Sequence, residues 1–87
     1  MYQIKYAERV EDSMKKFPKY DKKAIYDRID SLKIDPSSSG VEPLHGEWKG
    51  LFRVRVGNYR IIYNVQDKIL IVYVVKVSKR GDVYKTS

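Results

Sequence analysis

The chain of 87 residues contains no cysteine and only one histidine, His45. Without cysteine, it has no disulfide scaffold, no cysteine-ligated zinc or iron–sulfur site and no thiol nucleophile. A single histidine excludes a metal site built from several histidines and weakens the case for a nuclease that uses a histidine pair. Glycine and proline are scarce, with 5 and 3 residues, which excludes collagen-like and low-complexity chains.

Long apolar runs are also absent. The longest extends from Ile69 to Val75, far short of the ~20 residues that a membrane span requires. Residues 1–12 contain no apolar segment typical of a secretory signal. Hydrophobic residues make up 43% of the chain, enough for one packed core, and the length allows one domain. We therefore expect a single soluble, basic domain over residues 1–87, located in the cytoplasm.

Acidic residues are few in the second half of the chain. Residues 45–87 carry 9 basic and 3 acidic side chains, whereas residues 1–44 carry 9 and 8. This asymmetry indicates a polyanionic partner: nucleic acid, an acidic protein, or both. The alternative is a charge surplus that serves only solubility.

The first half of the chain is predicted to form a strand and two helices. Polar and apolar residues alternate from Tyr2 to Tyr6, as in a half-buried strand. Two apolar sets then recur at the spacing of one helix face: Val10, Met14 and Phe17, followed by Ile25, Ile29 and Leu32. Pro18 ends the first helix and Asp21 is the predicted N-cap of the second, which Asp35-Pro36 ends.

The second half is predicted to form three antiparallel strands. Residues 51–56 alternate, Gly57-Asn58 forms a two-residue turn, and residues 59–65 form the return strand. After a polar turn at 66–68, the apolar run 69–77 is typical of a central strand covered on both faces. The order β-α-α-β-β-β predicts an α+β domain, with the helix pair on one face of a mainly antiparallel four-stranded sheet.

The predicted turn also sets the register of the hairpin. One face then carries only apolar and aromatic residues: Phe52, Val54, Val56, Tyr59, Ile61 and Tyr63. The other face carries Arg53, Arg55, Arg60 and Asn64 around Ile62. Arg55 and Arg60 stand opposite each other, and like charges in that position repel by up to roughly 1 kcal/mol.

Three arginines on one exposed face indicate an anion site. A guanidinium group keeps its charge and presents a fork that fits phosphate oxygens. Three of them could hold a phosphodiester and stabilise the negative charge of its transition state. The alternative is an exposed face that the arginines merely make soluble.

The C-terminal string VSKRGDVY adds Arg80 and Tyr84 after the last predicted strand. An aromatic side chain beside arginines is an arrangement used to stack exposed bases. Tyr84 could equally pack against the edge of the sheet, because the chain has 8 tyrosines.

The strings VRVGNYRIIYNV and VSKRGDVY resemble the RelE/ParE superfamily of bacterial and archaeal toxins, and its RelE branch most. The resemblance covers the whole chain and implies the RelE-like microbial RNase fold. It implies the toxin of a type II toxin–antitoxin system, a ribosome-dependent endoribonuclease that cleaves mRNA in the A site and inhibits translation. The implied partners are the ribosome, mRNA and a RelB-like antitoxin, without a membrane, a metal or a cofactor.

The resemblance also implies roles for individual residues. Arg53 and Arg55 match basic positions assigned to phosphate binding and to activation of the 2′-hydroxyl. Arg60 matches the arginine that stabilises the pentacovalent phosphate. Arg80 matches a proposed proton donor to the leaving 5′-oxygen, and Tyr84 the tyrosine that stacks on the base.

This sequence departs from the family at the position of the base. Relatives usually carry lysine where Arg53 and Arg55 stand, and an arginine effectively cannot be deprotonated. Glu42 matches the general base in the EPL string of the related YoeB branch. His45 follows in the same loop, and histidine is a side chain that commonly carries protons in enzymes. Glu42 and His45 are therefore both candidates for a general base or proton shuttle.

Two other functions remain open at this point. The same fold serves ParE-like inhibitors of DNA gyrase, and a basic RNA-binding domain without chemistry is a further alternative. ParE proteins generally lack the full arginine set. The combination of Arg55, Arg60, Arg80 and Tyr84 therefore favours the RNase.

Overall fold

Five strands form one sheet in the computed structural model of the protein, which describes residues 1–79. The strands are β1 (Gln3–Tyr6), β2 (Glu42–Pro43), β3 (Leu51–Val56), β4 (Tyr59–Gln66) and β5 (Ile71–Lys79). Their order across the sheet is β1-β5-β4-β3-β2, with β1 parallel to β5 and all other pairs antiparallel. The predicted α+β class is confirmed. The sheet has five strands rather than the predicted four. The additional strand, β2, is only two residues long, too short to show an alternating pattern in the sequence.

Two helices, α1 (Glu8–Met14) and α2 (Lys19–Ser31), pack on one face of the sheet. The prediction that Asp21 caps α2 was wrong. The N-cap position is occupied by Pro18, three residues earlier, and the helix begins at Lys19. Proline is tolerated there because the first turn of a helix needs no backbone donor. Neither helix is long and apolar enough to cross a membrane.

Asp21 instead connects α2 to the sheet. Its Oδ2 accepts a hydrogen bond of 2.6 Å from the hydroxyl of Tyr59, the first residue of β4. This hydrogen bond, together with partial desolvation, raises the pKa of Tyr59 to about 12. The Tyr59 ring packs on Phe17 with 4.6 Å between ring centroids, which holds the link between α1 and α2 against the same strand.

The hydrophobic core lies between the helices and the sheet. The predicted register of the hairpin is confirmed: Val56 pairs with Tyr59 and Val54 with Ile61 around the Gly57-Asn58 turn. The buried core consists of Val10, Met14, Phe17, Ile25, Ile29, Leu32, Val54, Tyr59, Ile61, Tyr63, Val72, Val74 and Val77. The residues of both predicted helix faces are therefore confirmed as core. The predicted helix ends were wrong: α1 ends at Met14, before Phe17 and Pro18, and α2 ends at Ser31, before Asp35-Pro36.

The strand buried on both faces is β4, not β5 as predicted. All residues from Tyr59 to Tyr63 are buried, because β4 is the middle strand of five. Strand β5 starts only at Ile71, while Ile69 and Leu70 lie exposed in the preceding turn. Leu70 adopts a left-handed φ of 55°, which is incompatible with a strand, so β5 begins only at the next residue.

Candidate functional site

The sheet face that points away from the core, called the open face below, carries polar side chains in cross-strand rows. The first row runs from β2 to β5 and contains Glu42, Arg53, Ile62 and Lys76. The second row contains Arg55, Arg60 and Ser78. Neighbouring strands lie about 4.8 Å apart, so the backbones of Arg53 and Lys76 are about 10 Å apart. Four basic residues are thus brought onto one small surface.

The prediction that Arg53, Arg55 and Arg60 share one face is confirmed, but the prediction that this face exposes all three was wrong. Arg55 is exposed, the Arg53 side chain is 20% exposed and Arg60 is only 3% exposed. Arg60 lies on the middle strand, with a neighbouring strand on each side. A guanidinium group in this place is held in position and is poorly screened by water, so it acts more strongly on a nearby anion.

Glu42 and Arg53 form an ion pair at the edge of the open face. Arg53 Nη2 lies 3.0 Å from Glu42 Oε1, and the carboxylate side chain is 59% exposed. Strand β2 creates this contact, because Glu42 is the direct register partner of Arg53. Within residues 1–79 the buried Nε of Arg53 has no hydrogen-bond acceptor. The sequence suggested Glu42 as a general base and Arg53 as a phosphate-binding residue, but in the structure the two side chains bind each other.

Lys76 is a member of the first row that the sequence pattern did not predict. In a regular ladder, the pairing of Tyr63 with Val74 would place Val75 opposite Ile62. A β-bulge at this point places Lys76 opposite Ile62 instead. The inserted residue changes which side chains reach each face, and no pattern in the apolar run 69–77 indicated where it lies.

Of the other predicted residues, His45 is not joined to this cluster. His45 is exposed, immediately before a short 3₁₀ helix, Gly46–Trp48, in the loop between β2 and β3. In the part of the chain that the structure describes, its imidazole makes no hydrogen bond or ion pair with Glu42 or the arginines. Arg80 and Tyr84 lie outside the described residues. Among residues 1–79, no three His, Asp or Glu side chains are grouped to hold a metal ion.

Comparison with known proteins identifies the family. The sequence model described as "ParE toxin of type II toxin-antitoxin system, parDE" matches residues 4–84, nearly the whole chain. The chain belongs to this toxin family. Within the RelE/ParE superfamily it is a RelE-like toxin of a type II toxin–antitoxin system.

Individual relatives agree with this assignment. Toxin RelG of Mycobacterium tuberculosis is 36% identical over 44 residues, so the match covers 51% of this chain and about half of that toxin (51%). The RelBE2 toxin–antitoxin complex of the same organism contains a chain with a TM-score of 0.82 and 25% identity, over 91% of this chain and 98% of that one. The archaeal RelE–RelB complex from Pyrococcus horikoshii OT3 gives a TM-score of 0.80 and 29% identity, over 92% and 96%. The predicted RelE-like fold is confirmed.

Proposed function

We propose that this toxin is an endoribonuclease, an mRNA interferase that cleaves mRNA in the A site of the ribosome. The main support is the second row of the open face, where Arg55 and Arg60 stand directly opposite each other on neighbouring strands. Arg53 lies two residues before Arg55 along β3 and points to the same face, so three guanidinium groups are brought together there. Guanidinium groups present a fork that fits the oxygens of an RNA phosphate.

In the proposed reaction, the 2′-hydroxyl oxygen of one ribose attacks the adjacent phosphorus and the bond to the 5′-oxygen breaks. The products are a 2′,3′-cyclic phosphate and a 5′-hydroxyl, so one proton leaves the nucleophile and one reaches the leaving oxygen. Negative charge on the phosphate increases in the pentacovalent transition state. Arg60, fixed in the sheet, and Arg55, free to reach outwards, are placed to stabilise this charge.

Glu42 and His45 are the candidates for the group that accepts the 2′-hydroxyl proton, and the structure favours a different role for Glu42. Its carboxylate already accepts from Arg53 at 3.0 Å. We assign Glu42 to positioning Arg53 at the edge of the site. His45, exposed in the next loop, is then the remaining candidate for the proton acceptor. For Arg80 and Tyr84 we keep the roles of proton donor and base-stacking residue.

Glu42→Gln distinguishes positioning from base catalysis. We expect cleavage within about tenfold of the wild-type rate, because the amide oxygen still accepts from Arg53 and the open face becomes more positive. A loss of about 10²–10⁴-fold would instead identify Glu42 as the general base. The rate is measured with programmed ribosomes. Glu47→Gln, at an exposed carboxylate in the same loop, serves as the control.

We further propose that a RelB-like antitoxin holds the toxin inactive. Several of the similar solved structures are RelB–RelE or RelBE complexes. The formal net charge of +7 favours a partner segment rich in acidic residues. A segment of this composition is often disordered when free and wraps around its target on binding. Such a partner would block the open face or make the complex too bulky for the A site.

A ParE-like inhibitor of DNA gyrase is the second candidate, because the matching family model carries the ParE description. Induced expression combined with primer extension on a translated reporter mRNA separates the two. We expect growth arrest and codon-positioned cuts that depend on translation. Cleaved or inhibited gyrase without mRNA cuts would favour the second candidate. Ribosome binding without mRNA cuts and without gyrase inhibition would indicate a basic RNA-binding domain that has no catalytic activity.

A further inference from the structure

A cavity of about 500 Å³ lies at the rim of the open face, between the loop after β2 and helix α1. Its lining residues are Arg9, Val10, Ser13, Trp48, Val75 and Lys76. Trp48 comes from the loop between β2 and β3, at one edge of the sheet, yet it lines this cavity together with residues of β5 and α1. The loop therefore brings the indole to the β5 side of the open face.

The side chains around this cavity have the chemistry of a nucleotide site. Trp48 is 45% exposed, so a large aromatic surface is left accessible to a ligand. Arg9 and Lys76 are positively charged, and neither forms an ion pair in the described part of the chain. No carboxylate lines the cavity. Aromatic rings that stack bases, beside cations that hold the phosphates, are how proteins bind single-stranded nucleic acid.

The cavity also shares one residue, Lys76, with the first row of the open face. Lys76 ends the first row, which begins at Glu42 and Arg53. Lys76 is therefore about two strand spacings from Arg53, close enough for an RNA strand whose phosphate lies on the arginines to reach Lys76 and the Trp48 ring. The volume is within the range of about 300–1,000 Å³ that ligand sites occupy, so one nucleotide has room.

We propose that this cavity is a second RNA subsite, in which an unpaired nucleotide stacks on Trp48 while Lys76 and Arg9 contact its phosphates. The inference rests on the proposed function, because it takes RNA as the ligand. It extends that function from the bond being cleaved to a neighbouring nucleotide. The nucleotide belongs either to the mRNA or to ribosomal RNA, which share this chemistry.

Trp48 is the single tryptophan of the chain, so its fluorescence reports directly on the site. The full-length toxin is titrated with a short single-stranded oligoribonucleotide. We expect the RNA to quench Trp48 emission. Inorganic tripolyphosphate, which offers charge without a base, should leave the emission unchanged. Quenching by the free oligonucleotide points to mRNA as the source of the nucleotide, whereas quenching only by ribosomes points to ribosomal RNA.

Variants separate stacking from charge. Trp48→Ala should weaken RNA binding roughly ten- to a hundredfold and Trp48→Phe much less, because either aromatic ring can stack. Lys76→Ala keeps the fluorophore. It should lower affinity and reduce the salt dependence of binding by about one phosphate contact, with quenching at saturation retained. Lys68→Ala, at an exposed lysine in the turn before β5, is the matched control and should change neither quantity.

Three results decide between the subsite and the proposed function. RNA binding with unchanged Trp48 emission, and with wild-type affinity in Trp48→Ala, would overturn the subsite and leave the endonuclease proposal standing. Quenching by an acidic peptide but not by RNA would also overturn it and assign the cavity to a protein partner. Quenching by RNA without cleavage on ribosomes would support the subsite and refute the endonuclease.

Discussion

Replacing Arg60 with lysine is expected to slow mRNA cleavage on the ribosome by about 10²–10³-fold, the usual cost of losing one preorganised donor to a transition state. Lysine keeps the positive charge but lacks the planar fork that contacts two phosphate oxygens at once. Arg60 is only 3% exposed in the middle of the sheet, so a shorter side chain has little freedom to move toward the phosphate. Single-turnover cleavage on programmed ribosomes measures the effect.

Arg55→Lys is the matched control for this substitution. Arg55 stands opposite Arg60 but is exposed, so the flexible lysine can follow the phosphate and the loss should be smaller. Arg60→Ala is less informative, since removal of a buried side chain should lower stability as well as activity. The sequence alone suggested an exposed arginine whose truncation leaves folding intact. Wild-type cleavage rates in a folded Arg60→Lys protein would show that the Arg60 guanidinium group does not stabilise the transition state.

Tyr63→Ala is expected to reduce the free energy of unfolding by about 3–5 kcal/mol, as for other large-to-small changes of buried aromatic residues. Tyr63 is fully buried beneath the helices, and its ring packs on Phe52 with centroids 5.8 Å apart. The total free energy of unfolding of a small domain is roughly 5–15 kcal/mol. The variant should therefore populate the unfolded state visibly in urea titrations at 25 °C.

Tyr63→Phe separates the hydroxyl from the ring. The hydroxyl donates a hydrogen bond to the backbone carbonyl of Pro36, which secures the segment after α2. Its removal leaves that carbonyl without the Tyr63 donor, at a cost of about 1–3 kcal/mol. Since Tyr63 faces away from the arginines, cleavage per folded molecule should stay unchanged in Tyr63→Phe. If Tyr63→Ala lowers the free energy of unfolding by less than about 1 kcal/mol, neighbouring side chains must fill the space that the ring leaves.

The hairpin could be predicted from sequence because two independent features agree on one register. Gly57-Asn58 selects a two-residue turn, and period-two alternation on both sides of it assigns every side chain to a face. The depth at which Arg60 lies could not be predicted. It depends on which strands flank β4, and this follows from the return of β5 between β1 and β4 over a long sequence separation.

Other parts of the site could not be predicted because they show no periodic pattern in the sequence. Strand β2 has two residues, too few for a period, although it places Glu42 beside Arg53. Trp48 lies in a loop, where no pattern indicates the direction of a side chain, yet it lines a cavity with residues distant in sequence. Helix starts were ambiguous for a local reason, because Pro18 and Asp21 are both suitable residues at an N-terminus.

The β-bulge opposite Ile62 and Tyr63 has a consequence for how this toxin can change in evolution. By shifting the alternation of β5 by one position, it divides the strand into two parts with opposite phase. Before the bulge, even-numbered residues such as Val72 and Val74 enter the core; after it, Val77 does. If β5 paired regularly without the bulge, Lys76 would turn inward and Val77 outward. Deletion of one residue at the bulge would instead restore a regular ladder and keep both side chains on their present faces. This point in β5 is therefore where the strand can lose a single residue without exchanging its two faces, whereas a deletion elsewhere in the strand would exchange them.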